Sequence, residues 1–155
     1  MTRTARVLAA CLLGVILGVA PLQAVGTAVV TVADIGGGLT KITVAWTSTA
    51  GGAVSANAFA VPRGELLQVT FIPGTGGTVP TDLYDVTVVD LNAIDVATGN
   101  GTDCSATLAR VRVPLTGNAA ALTHRIFLDG SSTLDVVVAA AGNAKTGSVI
   151  LLIGR

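Results

Sequence analysis

Between Pro80 and Asp90 the chain alternates: Tyr84, Val86 and Val88 fall on one side of an extended backbone, Asp85 and Thr87 on the other. Successive side chains of an extended chain point to opposite faces, so period-two alternation rich in β-branched residues marks a half-buried strand. The pattern recurs along the chain and Gly or Pro punctuates it. No stretch offers the three-to-four-residue apolar spacing of a long amphipathic helix.

From Gly26 the segments follow in order. Ala28–Val32 is apolar and β-branched, and Gly36-Gly37-Gly38 turns it back. Thr40–Thr47 alternates with Ile42, Val44 and Trp46 inward, which makes the single Trp a core residue. Ser48–Asn57 is a loop. Ala58–Val61 reads as a short edge strand stopped by Pro62. Glu65–Ile72 is a strand with Leu67, Val69 and Phe71 expected inward. Val86–Asp90 is expected to form a hairpin with Ile94–Val96, with strain at Asn92. Ala106–Val113 alternates, which predicts a wet face for Arg110 and Arg112, and Pro114 ends it. Asn118–Leu122 has the composition of one helical turn. His124–Leu128 is a short strand before an Asp129-Gly130 turn, and Thr133–Ala139 follows. Val149–Ile153 is nearly all apolar and is expected to lie centrally, covered on both faces. Roughly eight strands at this spacing predict a single all-β domain, an antiparallel β-sandwich or partly closed barrel.

Composition agrees and excludes several functions. Of 155 residues, 51% are hydrophobic and only 12% charged, with 19 Gly and zero net charge. A chain without a basic block lacks the footprint of nucleic-acid binding. Aromatic residues at 3% are too few for a stacking platform. So sparse a charge complement suits a protein held in an assembly or on a surface better than a free monomer.

The domain expected over 25–155 is preceded by an apolar segment, 1–24, with helical character. Arg3 and Arg6 precede the uncharged run Val7–Ala20, and Pro21-Leu22-Gln23-Ala24 supplies a break and small residues. That is the layout of a secretory signal peptide. A retained membrane anchor and an apolar assembly arm are the two other readings. Of the two cysteines, Cys11 lies in this run and too close to Arg6 for a lipoprotein signal. Cys104 is expected to be a small buried residue, with an intermolecular bridge as the alternative.

Chemistry is sparse. The single histidine, His124, has no nucleophile elbow to serve, and a lone His entering a strand fits a sheet edge better than catalysis. One His and one cysteine outside the leader cannot make a zinc set. Asp82, Asp85, Asp90, Asp95 and Asp103 cluster near Gly99-Asn100-Gly101, and calcium favours carboxylates on flexible loops. Their spacing matches no EF-hand, and aspartates beside strands more often shape turns or discourage edge pairing. The glycine runs lack the Gly-Lys-Ser/Thr of a phosphate loop. No catalytic, cofactor-binding or metal-binding residue is therefore assigned.

Four stretches together resemble a family of small strand-rich structural proteins of tailed-bacteriophage virions. They are Ile35–Ile42 running to Trp46-Thr47, Gly64–Val69, Pro80–Val88 with Asp95-Val96, and Ala141–Val149 to the C-terminus. The likeness covers about Ala28 to Arg155. It implies a non-enzymatic part of the particle, a capsid decoration or cement protein or another head- or tail-surface component. Its implied partners are capsid or tail subunits and further copies of itself, for example in a trimer, with no nucleic acid and no cofactor. The apolar segment 1–24 departs from that pattern. An exported surface or extracellular β-sandwich protein is the alternative, with an enzyme or sugar-binding module behind it.

Overall fold

The computed structural model describes residues 26–155 apart from 56, 119, 120 and 132. The expected apolar helix over 1–24 lies outside the described residues. Within them there is no α-helix, and the chain is built from antiparallel strands in two open sheets.

The larger sheet contains β1 (Thr27–Gly36), β2 (Leu39–Thr47), β4 (Gly64–Pro73), β6 (Arg110–Arg112), β7 (Leu115–Asn118), β8 (Ala121–Leu128) and β10 (Thr146–Gly154). Its order is β1-β2-β10-β4-β8-β7, and β6 joins β4 beside β8. The smaller sheet is β3 (Phe59–Ala60), β9 (Thr133–Ala139) and β5 (Asp85–Asp90), with β9 in the middle. One hydrophobic core joins the two. The larger sheet contributes Ile42, Val44, Trp46, Leu66, Val69, Phe71, Val149, Leu151 and Ile153, and the smaller Val86, Val88, Leu134, Val136 and Val138. Trp46 and Tyr84 meet across it with ring centroids 5.7 Å apart.

Alternation positions most of these residues. Ile42, Val44 and Trp46 are buried as expected, as are Tyr84, Val86 and Val88. β4 departs from simple alternation. Leu152 of β10 faces Gln68, but the next residue, Ile153, faces Leu66, so Leu67 is an extra residue in the ladder. This β-bulge shifts the phase by one. Leu66, not Leu67, therefore enters the core beside Val69 and Phe71, and Leu67 is only half-buried.

Three other expectations are corrected. β10 is central, but only one face of it is covered: Val149, Leu151 and Ile153 are buried while Ile150 and Leu152 remain half-exposed. Asn118 and Leu122 belong to the paired strands β7 and β8, not to a helical turn, because the cross-strand ladder satisfies their backbone. The turn after β5 carries its left-handed residue at Ala93 (φ 60°), not at Asn92, and Ile94–Val96 adds only a bridge from Asp95 to Val89.

Glycine matters most where the chain leaves no room for a side chain. A Cβ on Gly147 would land inside the Trp46 ring, which lies across it. A Cβ on Gly101 would run into the Val86 carbonyl. Gly36, Gly37 and Gly38 all have positive φ, the conformation in which they make the β1–β2 turn.

Candidate functional site

Asp82, Asp85, Asp90 and Asp95 each pin a loop, and the carboxylates do not converge on one point. Residues 95–104 lie along the open edge of β5, where Val86 donates its N–H to Gly101, Val96 donates to Val88, and Cys104 donates to Tyr84. These bonds occupy the edge that another strand would otherwise use. Asp95 holds the start of the segment. Its Oδ1 accepts the N–H groups of Val88 (3.1 Å) and Ala97 (2.9 Å), and its Oδ2 accepts that of Gly99 (2.7 Å). Asp85 accepts the Asp103 N–H at 2.9 Å, and Asp82 accepts that of Ala106 at 2.9 Å. Asp90 closes the preceding turn, accepting Asn92 and Ile94 N–H groups at 2.9 Å each. The Ile94 N–H holds the Asp90 carboxyl below its ordinary value, against an opposing effect of burial and with lesser help from Asn92.

Carboxylates pointed at backbone N–H groups compensate local strain. Leu83, Ala93, Thr98 and Asp103 all take left-handed φ between 51° and 62°. That conformation costs about 1–2 kcal/mol for a residue with a Cβ. The same oxygens that would be offered to calcium are thus spent on the chain. Among the described residues no group of three or more His, Cys, Asp or Glu side chains is placed to hold a metal.

Arg110 was expected on the wet face with Arg112, and this is corrected. β6 pairs Arg110 with Phe71 and Arg112 with Val69, so both arginines share the core-side phase of β4, at its edge. Arg112 stays exposed. The Arg110 guanidinium donates to the carbonyls of Asn100 (3.2 Å), Thr102 and Asp103 (2.6 Å), pinning the far end of the 95–104 loop. Spacing could not reveal this, because the partners are carbonyls with no residue signature. Asn57 is similar: its side chain donates to the Val136 carbonyl (2.6 Å) and accepts the Val136 N–H (3.0 Å), acting as one residue of a missing strand.

Cys104 is buried and donates its thiol to the Gly101 carbonyl at 3.2 Å. Burial pushes this thiol up, and pushes the Tyr84 hydroxyl up as well. Neither is poised as a nucleophile. The side chain of His124 lies outside what the structure describes.

Two surfaces remain. A groove of about 320 Å³ opens between the 90–98 turn and β8, walled by Ile94, Ile126, Phe127 and Leu134, with Asp90 and Asp95 at its margin. Ile94 and Phe127 are exposed there. The second surface is the outer face of the larger sheet. Register sets Val29, Ala45, Ser148 and Ile72 in one row, then Thr31, Thr43, Ile150, Thr70 and Val111, then Ala33, Lys41, Leu152 and Gln68. Lys41 is the only charge in those rows. No helix among the described residues is long and apolar enough to cross a membrane.

No protein-family model, no curated protein and no solved structure matches this chain.

Proposed function

We propose that this chain is a non-enzymatic structural protein of a bacteriophage virion, a β-sandwich that decorates or cements a capsid or another particle surface. The observation that carries the reading is the stretch of the larger sheet's outer face between β1 and β4, where three rows carry one charge, Lys41, apart from the Glu65–Arg125 pair at the β4–β8 end. A face of Val, Thr, Ala and Ile rows with one lysine leaves apolar surface in water that a subunit lattice would cover. Asp82, Asp85, Asp90 and Asp95 spend carboxylate oxygens on backbone N–H groups, which supports a scaffold role for them. The resemblance of the Ile35–Ile42, Gly64–Val69, Pro80–Val88 and Ala141–Val149 stretches to phage virion proteins supplies the particle. The partners are capsid or tail subunits and other copies of the chain, and affinity comes from many repeated weak contacts.

The test is mass spectrometry of gradient-purified particles. Peptides from residues 26–155 at a fixed ratio to the major capsid protein are expected. Absence from particles that infect normally would sink the reading. The second reading is an exported surface or extracellular protein, and one specific pattern favours it: Arg3 and Arg6, the Val7–Ala20 run and the Pro21–Ala24 break. A native mass lacking the first 24 residues, found outside the cell, supports export and rejects the particle role.

A further inference from the structure

Most edges in this molecule are protected. β5 is covered by residues 95–104. The outer side of β9 is taken by Val54, Asn57 and the two-residue β3. β6 is short, carries two arginines and runs into Pro114. Strand β7, at the other end of the larger sheet, is only four residues long, which leaves β1 as the long open edge among the described residues. It runs from Thr27 to Gly36, pairs only with β2 among the described residues, and has no proline, no lysine and no charge before Asp34. Asp34 itself is turned to the Gly36 N–H at 2.9 Å, at the end of the strand. Val29 is 65% exposed and Val32 56%, on opposite faces of the strand. A long edge of small and β-branched residues, uncharged before Asp34, is a template for another strand.

We propose that β1 pairs antiparallel with β1 of a second copy, joining two larger sheets across a two-fold axis at Val30. An axis perpendicular to the sheet keeps each residue on its own face, so residues of like parity must oppose one another. Centred on Val30, this sets Val30 against the partner's Val30, Ala28 against the partner's Val32, Val29 against the partner's Thr31, and Thr27 against the partner's Ala33. Every pair is small or β-branched, the kind that stabilises antiparallel ladders. Both aspartates fall outside these pairs, opposite Gly26. Moving the axis to Thr31 would set Ala28 against the partner's Asp34, which brings a carboxylate into the apolar ladder. An axis at Val29 would also keep Asp34 out but would pair only residues 27–31 of β1, against 27–33 for the axis at Val30, so the Val30 register is the favoured one. An isologous antiparallel pair closes at two copies, so this edge makes a dimer and leaves rings to other surfaces. The dimer holds whether the chain sits in a particle or outside a cell.

The test uses the full chain, its intact mass verified, in sedimentation and native mass spectrometry. Wild type is expected as a dimer. V29K/T31K sets lysine against lysine twice and is expected to weaken the dimer at least about tenfold. V29K/T31E carries as many new side chains but sets lysine against the partner's glutamate, and is expected to restore the dimer. Mixing V29K/T31K with V29E/T31E is expected to give the heterodimer. Val29 and Thr31 are both exposed, so Trp46 fluorescence and circular dichroism should report an unchanged fold. A monomeric wild type overturns the proposal, as when residues of the same chain cover β1. So does a V29K/T31K dimer of undiminished strength, or a V29K/T31E protein as monomeric as V29K/T31K. If V29K/T31K does not fold, V29K/T31E and its mirror V29E/T31K decide between the two registers.

Discussion

Asp95→Ala isolates what the acidic loop does. In the native protein this carboxylate accepts three backbone N–H groups, from Val88, Ala97 and Gly99. Hydrogen bonds to a charged acceptor are worth about 1.5–3 kcal/mol each when shielded from water. The Gly99 bond is exposed and water replaces it at little cost, which leaves the two part-buried bonds at Oδ1. Their loss amounts to about 3 kcal/mol. Freeing the loop lets Thr98 leave its left-handed conformation, which returns about 1 kcal/mol. The expected net loss is about 2 kcal/mol, close to the lower end of those ranges. Asp95→Asn keeps one carbonyl oxygen for Val88 and Ala97, so it should lose about 1 kcal/mol or less. Urea unfolding followed by Trp46 fluorescence measures both, because this buried indole packs on Tyr84 beside the loop. Limited proteolysis should find cleavage appearing between residues 95 and 104 in the alanine variant. An Asp95→Ala protein within about 0.5 kcal/mol of wild type, or an asparagine variant as damaged as the alanine one, would refute the pinning role.

Three further outcomes follow from the packing. Leu66→Ala should cost about 2–5 kcal/mol in urea unfolding and Leu67→Ala well under half of that, since the bulge puts only Leu66 in the core; equal losses would contradict the bulge. Gly147→Ala should destabilise by about 1–3 kcal/mol and shift Trp46 emission, because the new methyl displaces the indole; unchanged emission with unchanged stability would count against that packing. Asp90 has a lowered folded-state value, so its contribution is present above the ordinary carboxylate value of 3.8 and disappears as pH falls through that point and below. Stability measured from about pH 6 down to about pH 3 should fall less in Asp90→Asn than in wild type, and parallel curves would contradict the assignment.

Alternation made the core strands legible wherever they ran unbroken. Ile42, Val44 and Trp46, and Tyr84, Val86 and Val88, entered the core as their spacing requires. Leu67 shows the limit: a bulge is set by the neighbouring strand, and nothing within Glu65–Ile72 announces it. The two-sided covering expected of β10 failed for a related reason. An all-apolar run fits either a strand covered on both faces or one with its second face left half-exposed, and the sequence is the same in both cases. The aspartates were legible as turn and edge residues, but their acceptor roles were not. Asp82 and Ala106 stand 24 residues apart, and the Asn57–Val136 exchange spans 79. Contacts of that range belong to the folded topology, not to any local window of sequence.

The place of β10 has a consequence in time. It pairs with β2 on one side and β4 on the other, and supplies Val149, Leu151 and Ile153 to the core. Until residues 146–154 have left the ribosome, β2 and β4 each wait with an open edge and an uncovered apolar flank. The β1–β2 pair and the block of β4, β6, β8 and β7 can form before then, but the two join only when β10 enters between them. Until then the nascent chain depends on chaperones or on speed to keep β1, β2 and β4 from pairing with the wrong neighbour.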